Sequence, residues 1–288
     1  ADGGEGTVDA IVEALHGEIV ATTVSDPLGR PIQARYGIAG ATAIIEMAAA
    51  SGLPLLCPEE RNPWLTSTHG TGEMIMDAIR RGCRQFLVGI GGSATNDAGT
   101  GMLQAMGFRF YDANDNEILH CSGGTMQDIT RIDDSDVPDS VHQSTFTIAC
   151  DVDTPFCGPE GAAPVFAPQK GADTAMVQQL DAGMASLAKV IEDKYHINIV
   201  PIAGAGAAGG MGGGMMMGEV CGGVTGGLMA IGLTVEDPAK AHELGEQFEE
   251  AFRAKFGTTL CRELLGVDVG TDEGYAEASE SGKLLDFC

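Results

Sequence analysis

The chain has 288 residues, 44% of them apolar, which is enough for one large domain or two modest ones with a packed core. With 16 Lys and Arg against 41 Asp and Glu, the formal charge is −25, which argues against binding to nucleic acid or to an anionic membrane surface. The eight cysteines lie far apart, and we find neither a signal peptide nor an apolar stretch of the roughly 20 residues that span a membrane. We therefore expect a cytoplasmic protein with mostly reduced thiols. Because the chain starts at Ala1 rather than Met, inside a glycine-rich motif, we also expect a fragment or a processed chain.

Apolar periodicity and turn residues predict alternating helices and strands. In chain order they predict a helix over 8–15, two strands within 18–38, a strand over 43–46, an Ala-rich helix ending near 52, a helix over 72–81 and a strand over 86–90. A helix follows residue 97, then a hairpin and a short helix within 108–145, a strand over 146–150, and helices over 174–194 and 237–256. Gly, Ala and Met dominate the composition after residue 203, and we place a domain boundary near 205–212.

The sharpest motif is the glycine-rich loop that follows the predicted strand 86–90 and runs from Gly89 to Asp97. Glycines let the backbone approach an anion closely, and the start of the next helix offers unpaired N–H groups and a positive dipole end. The candidate ligands for phosphate or a small substrate are Gly91, Gly92, Ser93, Thr95 and Asn96. The alternative is a tight turn between strand and helix that binds nothing.

Two acidic residues and one basic residue are further candidates. Asp151 and Asp153 follow a predicted strand and face the same side, so both carboxylates can converge on one hard cation. The alternative for this pair is an acidic turn before Pro155. Lys170 lies in a Gly/Pro-rich loop, where it suits an anionic substrate or a transferring phosphoryl group, unless it is simply solvated.

Three other groups carry weaker signals. The opening loop 1–7 offers glycines and acidic groups such as Glu5, and Arg61 can clamp a carboxylate in bidentate fashion. For both, an ordinary surface turn is the alternative. Cys221, Cys261 and Cys288 stand outside any Cys-x-x-Cys pair, so their interpretation as inert buried thiols competes with a redox or metal site.

Taken together, these loops resemble the type I glycerate kinase family. The segments that carry the resemblance are 1–7, 26–30, 58–63, 70–73, 89–97 and 150–172, and their order and spacing match over roughly residues 1–210. The resemblance implies ATP- and Mg²⁺-dependent phosphorylation of D-glycerate to 2-phosphoglycerate. It also implies an α/β fold, a mixed sheet with flanking helices like the second domain of that family. The family's Rossmann-like domain, which forms the other side of the active cleft, is not recognisable in this chain.

On this hypothesis the catalytic residues are Asp97, Asp151 and Lys170, with Lys170 offsetting the charge of the transferring group. Asp151 and Asp153 would hold Mg²⁺, and Arg61 would take the glycerate carboxylate. Substrate and nucleotide would also contact Gly91, Gly92, Ser93, Thr95, Asn96, Gly4, Glu5, Gly6 and Thr7. The expected partners are D-glycerate and ATP, with a second copy of the chain or a Rossmann-like domain as a further partner. The alternative is a glycerate- or nucleotide-binding domain without catalysis.

Past about Met211 the chain resembles a second family, small redox-active proteins named for a Cys-Gly-Ala-x-x-Gly motif and further cysteines. The resemblance rests on segments 218–227 and 256–266 and on Cys288, with Gly223 in place of the motif's Ala. It implies a thiol redox or metal-binding role for Cys221, Cys261 and Cys288. We therefore expect a glycerate-kinase-like α/β domain over 1–210, followed by a small, mainly helical segment over 211–288.

Overall fold

The computed structural model describes residues 6–149, 152–202, 204–216 and 253. The chain divides into two compact units, the first comprising residues 1–195 and 199–217 and the second residues 196–198 and 218–288. Nearly all of the described residues belong to the first unit. The mainly helical segment, the helix over 237–256 and the three cysteines that we predicted after residue 217 lie outside the described residues.

The first unit is built on a mixed β-sheet. Its strands are β1 (Glu18–Ser25), β2 (Pro31–Ala39), β3 (Thr42–Glu46), β4 (Gln85–Gly89), β5 (Arg109–Tyr111), β6 (Arg131–Asp133) and β7 (Thr145–Ala149). Within the described residues, five of them form one sheet in the order β1-β2-β3-β4-β7. The pairs β1–β2 and β2–β3 are antiparallel, whereas β3–β4 and β4–β7 are parallel. Strands β5 and β6 form a separate antiparallel hairpin.

Helices surround this sheet, which confirms the predicted α/β class. They are α1 (Thr7–Ala14), α2 (Ala48–Ser51), α3 (His69–Arg80), α4 (Thr100–Ala105), α5 (Asp139–His142), α6 (Ala162–Phe166), α7 (Thr174–Tyr195) and α8 (Ala207–Met216). Short 3₁₀ turns lie at Leu53–Leu55, Pro58–Glu60, Gly123–Asp128 and Pro168–Lys170. Among the described helices, none combines the length and the apolar character that crossing a lipid bilayer requires.

The core lies where the apolar stripes of the helices meet the sheet. Val8 and Val12, one turn apart on α1, pack with Ile44 of β3. On β4, the Phe86 ring stacks on Phe146 of β7 with ring centroids 4.8 Å apart. The period-3.6 pattern of the sequence therefore marks the faces that the structure buries.

Helix α3 begins three residues before the predicted range 72–81. The extra turn contains Gly70 and is followed by Gly72. Because glycine has low helix propensity, the sequence did not indicate that the helix begins this early. A Cβ at Gly70 would overlap the Ser25 carbonyl, and one at Gly72 would overlap the Met102 carbonyl. These glycines allow α3 to pack closely on the backbone of its neighbours, a tertiary effect that outweighs helix propensity.

Several loops collect at one edge of the sheet. The parallel strands β3, β4 and β7 end there at Glu46, Gly89 and Ala149. Strand β1 runs in the same direction as β3 but continues past the level of Glu46, from Ala21 to Ser25. At about 3.3 Å per residue this is about 13 Å, so the turn at 26–30 projects beyond this edge. Because ligands of open α/β sheets bind beyond the carboxyl ends of the strands, this is the edge to search for a site.

Candidate functional site

A cavity of about 380 Å³ lies beyond the carboxyl end of β4. The described residues that line it are Leu53, Ile90, Gly91, Gly92, Ser93, Val152, Phe166, Gln169, Lys170, Ala207 and Ala208. The polar side chains in this lining belong to Ser93, Gln169 and Lys170, and only Lys170 among them can carry a charge. The cavity is at the small end of the size range of ligand sites, and it combines apolar walls with a few polar groups.

The glycine-rich loop forms one wall of the cavity. Two main-chain hydrogen bonds of 2.9 Å fix it to the segment 51–53, one from the Leu53 N–H to the Gly92 carbonyl and one from the Ala94 N–H to the Ser51 carbonyl. Gly92 has a φ of 73°, in the left-handed region that suits glycine. Within the described part of the chain, the N–H groups of Gly91, Gly92 and Ser93 have no protein acceptor. Three main-chain donors are therefore left for a ligand.

Lys170 brings a buried amine into contact with this loop. Its side chain is only 1% exposed. The Nζ atom donates to the Thr95 carbonyl at 2.6 Å and to Ser93 Oγ at 3.3 Å. Burial lowers the pKa of Lys170 to about 7, while the negative charge of Asp97 acts in the opposite direction. Near neutral pH the amine is thus divided between its charged and neutral forms.

The backbone that carries Lys170 is fixed by its neighbour. Gly171 has a φ of 102°, and a Cβ at this position would overlap the Arg61 carbonyl. The 3₁₀ turn Pro168–Lys170 is therefore held against the segment that carries Arg61. Arg61 itself is half-buried and lies outside the cavity lining, and its Nε has no hydrogen-bond partner among the described residues.

Asp97 lies beneath the cavity rather than in its lining. The carboxylate is fully buried and accepts four hydrogen bonds: from Thr68 N–H and Oγ1 at 2.8 Å each, from Gly101 N–H at 3.2 Å and from Gly99 N–H at 3.3 Å. Burial raises the pKa of Asp97, and these hydrogen bonds act against that shift. Asp97 fastens the loop to the starts of α3 and α4, with three of the four hydrogen bonds on Oδ2 and one on Oδ1. The structure places Asp97 where it positions the loop, and its catalytic role stays a prediction.

Thr95 and Asn96 also turn inward. The Thr95 hydroxyl lies 3.1 Å from Ser93 Oγ, and its carbonyl accepts from Lys170. The Asn96 amide nitrogen donates to the Met184 sulfur at 3.3 Å, and its Oδ1 has no partner among the described residues. Both side chains are fully buried and support the loop, and the ligand role of these two residues stays a prediction.

A left-handed turn at the start of α8 lines the cavity, and it was not predicted from the sequence. Ala208, Gly209 and Gly210 have φ values of 53°, 73° and 87°. The Ala208 carbonyl lies 3.3 Å from Ser93 Oγ, the Ala98 N–H donates to the Gly209 carbonyl at 3.0 Å, and a Cβ at Gly209 would overlap the Thr95 carbonyl. Left-handed backbone at Ala208 costs about 1–2 kcal/mol, and such strain is concentrated at functional sites. The glycine- and alanine-rich composition was the available signal.

The remaining predicted residues have different positions. Gly6 and Thr7 lie at the start of α1, where the Val8 N–H donates to Glu46 Oε1 at 2.8 Å, so they share the sheet edge but not the cavity lining. Asp153 is exposed on the segment after β7 that also carries Val152. The predicted residues that lie outside the described ranges are Gly4, Glu5, Asp151, Cys221, Cys261 and Cys288. Over the ranges that are described, no three His, Cys, Asp or Glu side chains are grouped so that they could hold a metal ion.

The sheet and cavity define an α/β protein with a small cavity beyond the carboxyl ends of its parallel strands, where ligands of such sheets bind. A family model described as "Glycerate kinase family" matches residues 1–235, which is most of the chain. The chain belongs to the glycerate kinase family. The first resemblance drawn from the sequence is thereby confirmed.

Individual relatives agree with this assignment. Glycerate kinase of Halalkalibacterium halodurans is 48% identical over 211 residues, covering 73% of this chain and 55% of that protein. Glycerate 2-kinase of Escherichia coli is 46% identical over 211 residues, with the same coverage of 73% and 55%. The crystal structure of a "putative glycerate kinase 2" from Salmonella typhimurium is 45% identical and superimposes with a TM-score of 0.73, covering 76% of this chain and 59% of that one. The chain thus spans about half the length of the curated relatives that it matches.

A second family model matches the C-terminal part. It is described as "Putative redox-active protein (C_GCAxxG_C_C)" and matches residues 185–288. The second resemblance is also confirmed, and the two matches overlap over residues 185–235.

Proposed function

We propose that this chain carries the phosphoryl-acceptor site of a glycerate kinase and transfers a phosphoryl group from ATP to the 2-hydroxyl of D-glycerate. The observation that supports this most is the cavity beyond β4, which is lined both by Lys170 and by Gly91, Gly92 and Ser93, whose main-chain N–H groups have no acceptor among the described residues. Phosphoryl transfer depends mainly on positioning and on charge stabilisation, and main-chain donors supply both without being charged themselves.

The cavity suits a small hydroxy acid. Its volume of about 380 Å³ is near the lower limit of ligand sites, so a three-carbon acid and a terminal phosphate fit it better than an entire nucleotide. The N–H groups of Gly91, Gly92 and Ser93 would bind anionic oxygens. A local site of this kind matters because a protein with a formal charge of −25 repels both anionic substrates at long range.

The protein ligands for magnesium would come from the segment after β7. Asp153 is exposed there, next to the cavity-lining Val152, and Asp151 lies two positions earlier. Carboxylate oxygens are the ligands that Mg²⁺ prefers, and Mg²⁺ in such sites usually takes one or two of them together with phosphate oxygens and water. We propose that Asp151 and Asp153 hold Mg²⁺, which when bound would neutralise charge on the phosphate groups.

A coupled assay tests the proposal. The purified chain is incubated with D-glycerate, ATP and Mg²⁺, release of ADP is followed, and the product is identified as the 2- or 3-phosphate by ³¹P NMR. Omission of glycerate measures ATP hydrolysis as the control. We expect glycerate-dependent turnover with 2-phosphoglycerate as the product. Binding of glycerate in a calorimeter without turnover would instead identify a non-catalytic binding domain.

A further inference from the structure

We propose that the amine of Lys170, held by Ser93 and Thr95, is the general base that accepts the proton of the substrate hydroxyl, rather than a fixed positive charge. This inference rests on the proposed function. It identifies the general base of the reaction, a role for which the sequence indicated no residue. It differs from the role predicted from the sequence, in which Lys170 offset the charge of the transferring phosphoryl group.

The first argument is the hydrogen-bond count at Lys170 Nζ. A neutral amine has two N–H bonds and one lone pair, whereas an ammonium has three donors. Two acceptors are fixed around Nζ, the Thr95 carbonyl at 2.6 Å and Ser93 Oγ at 3.3 Å. They match the two N–H bonds of the neutral form. Because Lys170 lines the cavity, the lone pair is the position left for a ligand.

The surroundings of Ser93 keep this arrangement oriented. Ser93 Oγ accepts from the Thr95 N–H at 3.1 Å. Its own proton has two acceptors at 3.3 Å, the Ala208 carbonyl and the Thr95 carbonyl, the second of which also accepts from Lys170. Ser93 can therefore accept from Lys170 without donating to its lone pair. We regard Ser93 as a positioning residue for the base.

The second argument is the scarcity of negative charge around the amine. Asp97 is the charged group that acts on Lys170, and its carboxylate already accepts four hydrogen bonds within its own loop. Of the other described segments around the cavity, α6, the 3₁₀ turn Leu53–Leu55 and the turn at 207–210 contain no titratable side chain, whereas the segment after β7 carries the exposed Asp153 next to Val152. A buried ammonium is costly without a paired charge, so burial favours the neutral amine, in keeping with a pKa of about 7.

The step balances with a nucleoside triphosphate as the co-reactant. The hydroxyl oxygen of the substrate forms a bond to the γ-phosphorus, and its O–H bond breaks as the proton passes to Lys170 Nζ. The bond from the γ-phosphorus to the bridging oxygen breaks, and the nucleoside diphosphate leaves with that electron pair. The resulting ammonium returns its proton to water when the products depart. General bases of this kind contribute roughly 100- to 10,000-fold in rate.

The pH dependence of turnover distinguishes a base from a cation. If Lys170 is the base, kcat/KM rises tenfold per pH unit below about 7 and is level above it. If Lys170 acts as a cation, kcat/KM falls as pH rises through the same value. Lys170→Arg keeps the charge but cannot lose its proton, and Lys170→Met removes both. We expect both variants to lower kcat roughly 100- to 10,000-fold and to abolish the rise near pH 7.

Two controls make the outcome unambiguous. Lys189→Met on the exposed side of α7 should retain the wild-type profile. Trace acetylation read by mass spectrometry reports the titration of Lys170 without turnover, and we expect half-maximal reactivity near pH 7. Activity of Lys170→Arg within a few-fold of wild type, or titration of Lys170 at the ordinary lysine value, would overturn the base role alone. Absence of turnover in the wild type would overturn the proposed function and this role with it.

Discussion

The contact between Gly171 and the Arg61 carbonyl can be tested with a pair of matched substitutions. Gly171 and Gly158 have nearly the same φ, 102° and 98°. A Cβ at Gly158 meets no atom within 4 Å, whereas one at Gly171 overlaps the main chain at Arg61. Left-handed backbone costs an alanine about 1–2 kcal/mol at either site. Overpacking adds about 1–3 kcal/mol at Gly171 alone. We expect Gly158→Ala to lower the free energy of unfolding by about 1–2 kcal/mol and Gly171→Ala to lower it by about 2–5 kcal/mol.

Urea unfolding followed by fluorescence measures this difference. Trp64 is the single tryptophan of the chain and lies three residues from Arg61, so its emission reports on the unit in question. Because Gly171 adjoins Lys170, Gly171→Ala should also change the acetylation rate of Lys170, and Gly158→Ala should leave it unchanged. Equal destabilisation by the two substitutions would refute the close approach between residues 171 and 61.

Two further predictions concern the buried charges. Burial depresses the folded-state pKa of Lys170 from 10.5 to about 7, so the folded state binds fewer protons than the unfolded state in this window. The free energy of unfolding of the wild type, measured relative to that of Lys170→Met, should therefore rise between about pH 7 and 10.5 by up to about 1.4 kcal/mol per pH unit. A difference that does not change with pH would contradict the burial of this amine. Asp97→Asn replaces the carboxylate, which accepts from four donors, with an amide. It should lower the free energy of unfolding, measured by Trp64 fluorescence, by about 1–3 kcal/mol. An unchanged free energy of unfolding would contradict these hydrogen bonds.

The elements that the sequence predicted well are those whose burial is periodic. Helix α7 was predicted over 174–194 and covers Thr174–Tyr195, because Leu180, Met184, Leu187 and Ile191 form one buried stripe. Strand β4 was predicted over 86–90 and covers Gln85–Gly89, because a short apolar run between turn residues is typical of a buried strand. In both cases the information is local, so a single sequence contains it.

The composition of the site was less predictable, because it depends on which loops meet. The glycine-rich loop and Lys170 were identified from residue type, yet nothing local indicated that Lys170 would bind the Thr95 carbonyl 75 residues away. Thr95, Asn96 and Asp97 were chosen for their polar side chains, but they turn into the interior as the loop leads to α4. Leu53 and Phe166 line the cavity through apolar groups that no motif distinguishes from ordinary core residues.

The stretch after residue 203 shows how composition can suggest the wrong physical role for a glycine. A run of Gly and Ala is typical of a linker, and here it coincides with the overlap of the two family matches over residues 185–235. In the structure, Gly206 packs against the Pro155 carbonyl and Gly209 against the Thr95 carbonyl. Each approach is closer than a Cβ allows, so these glycines are required by packing rather than by flexibility. Their partners all belong to the cavity-forming unit, and residues 204–214 therefore serve the kinase-like fold, whatever the cysteine-containing segment after them does.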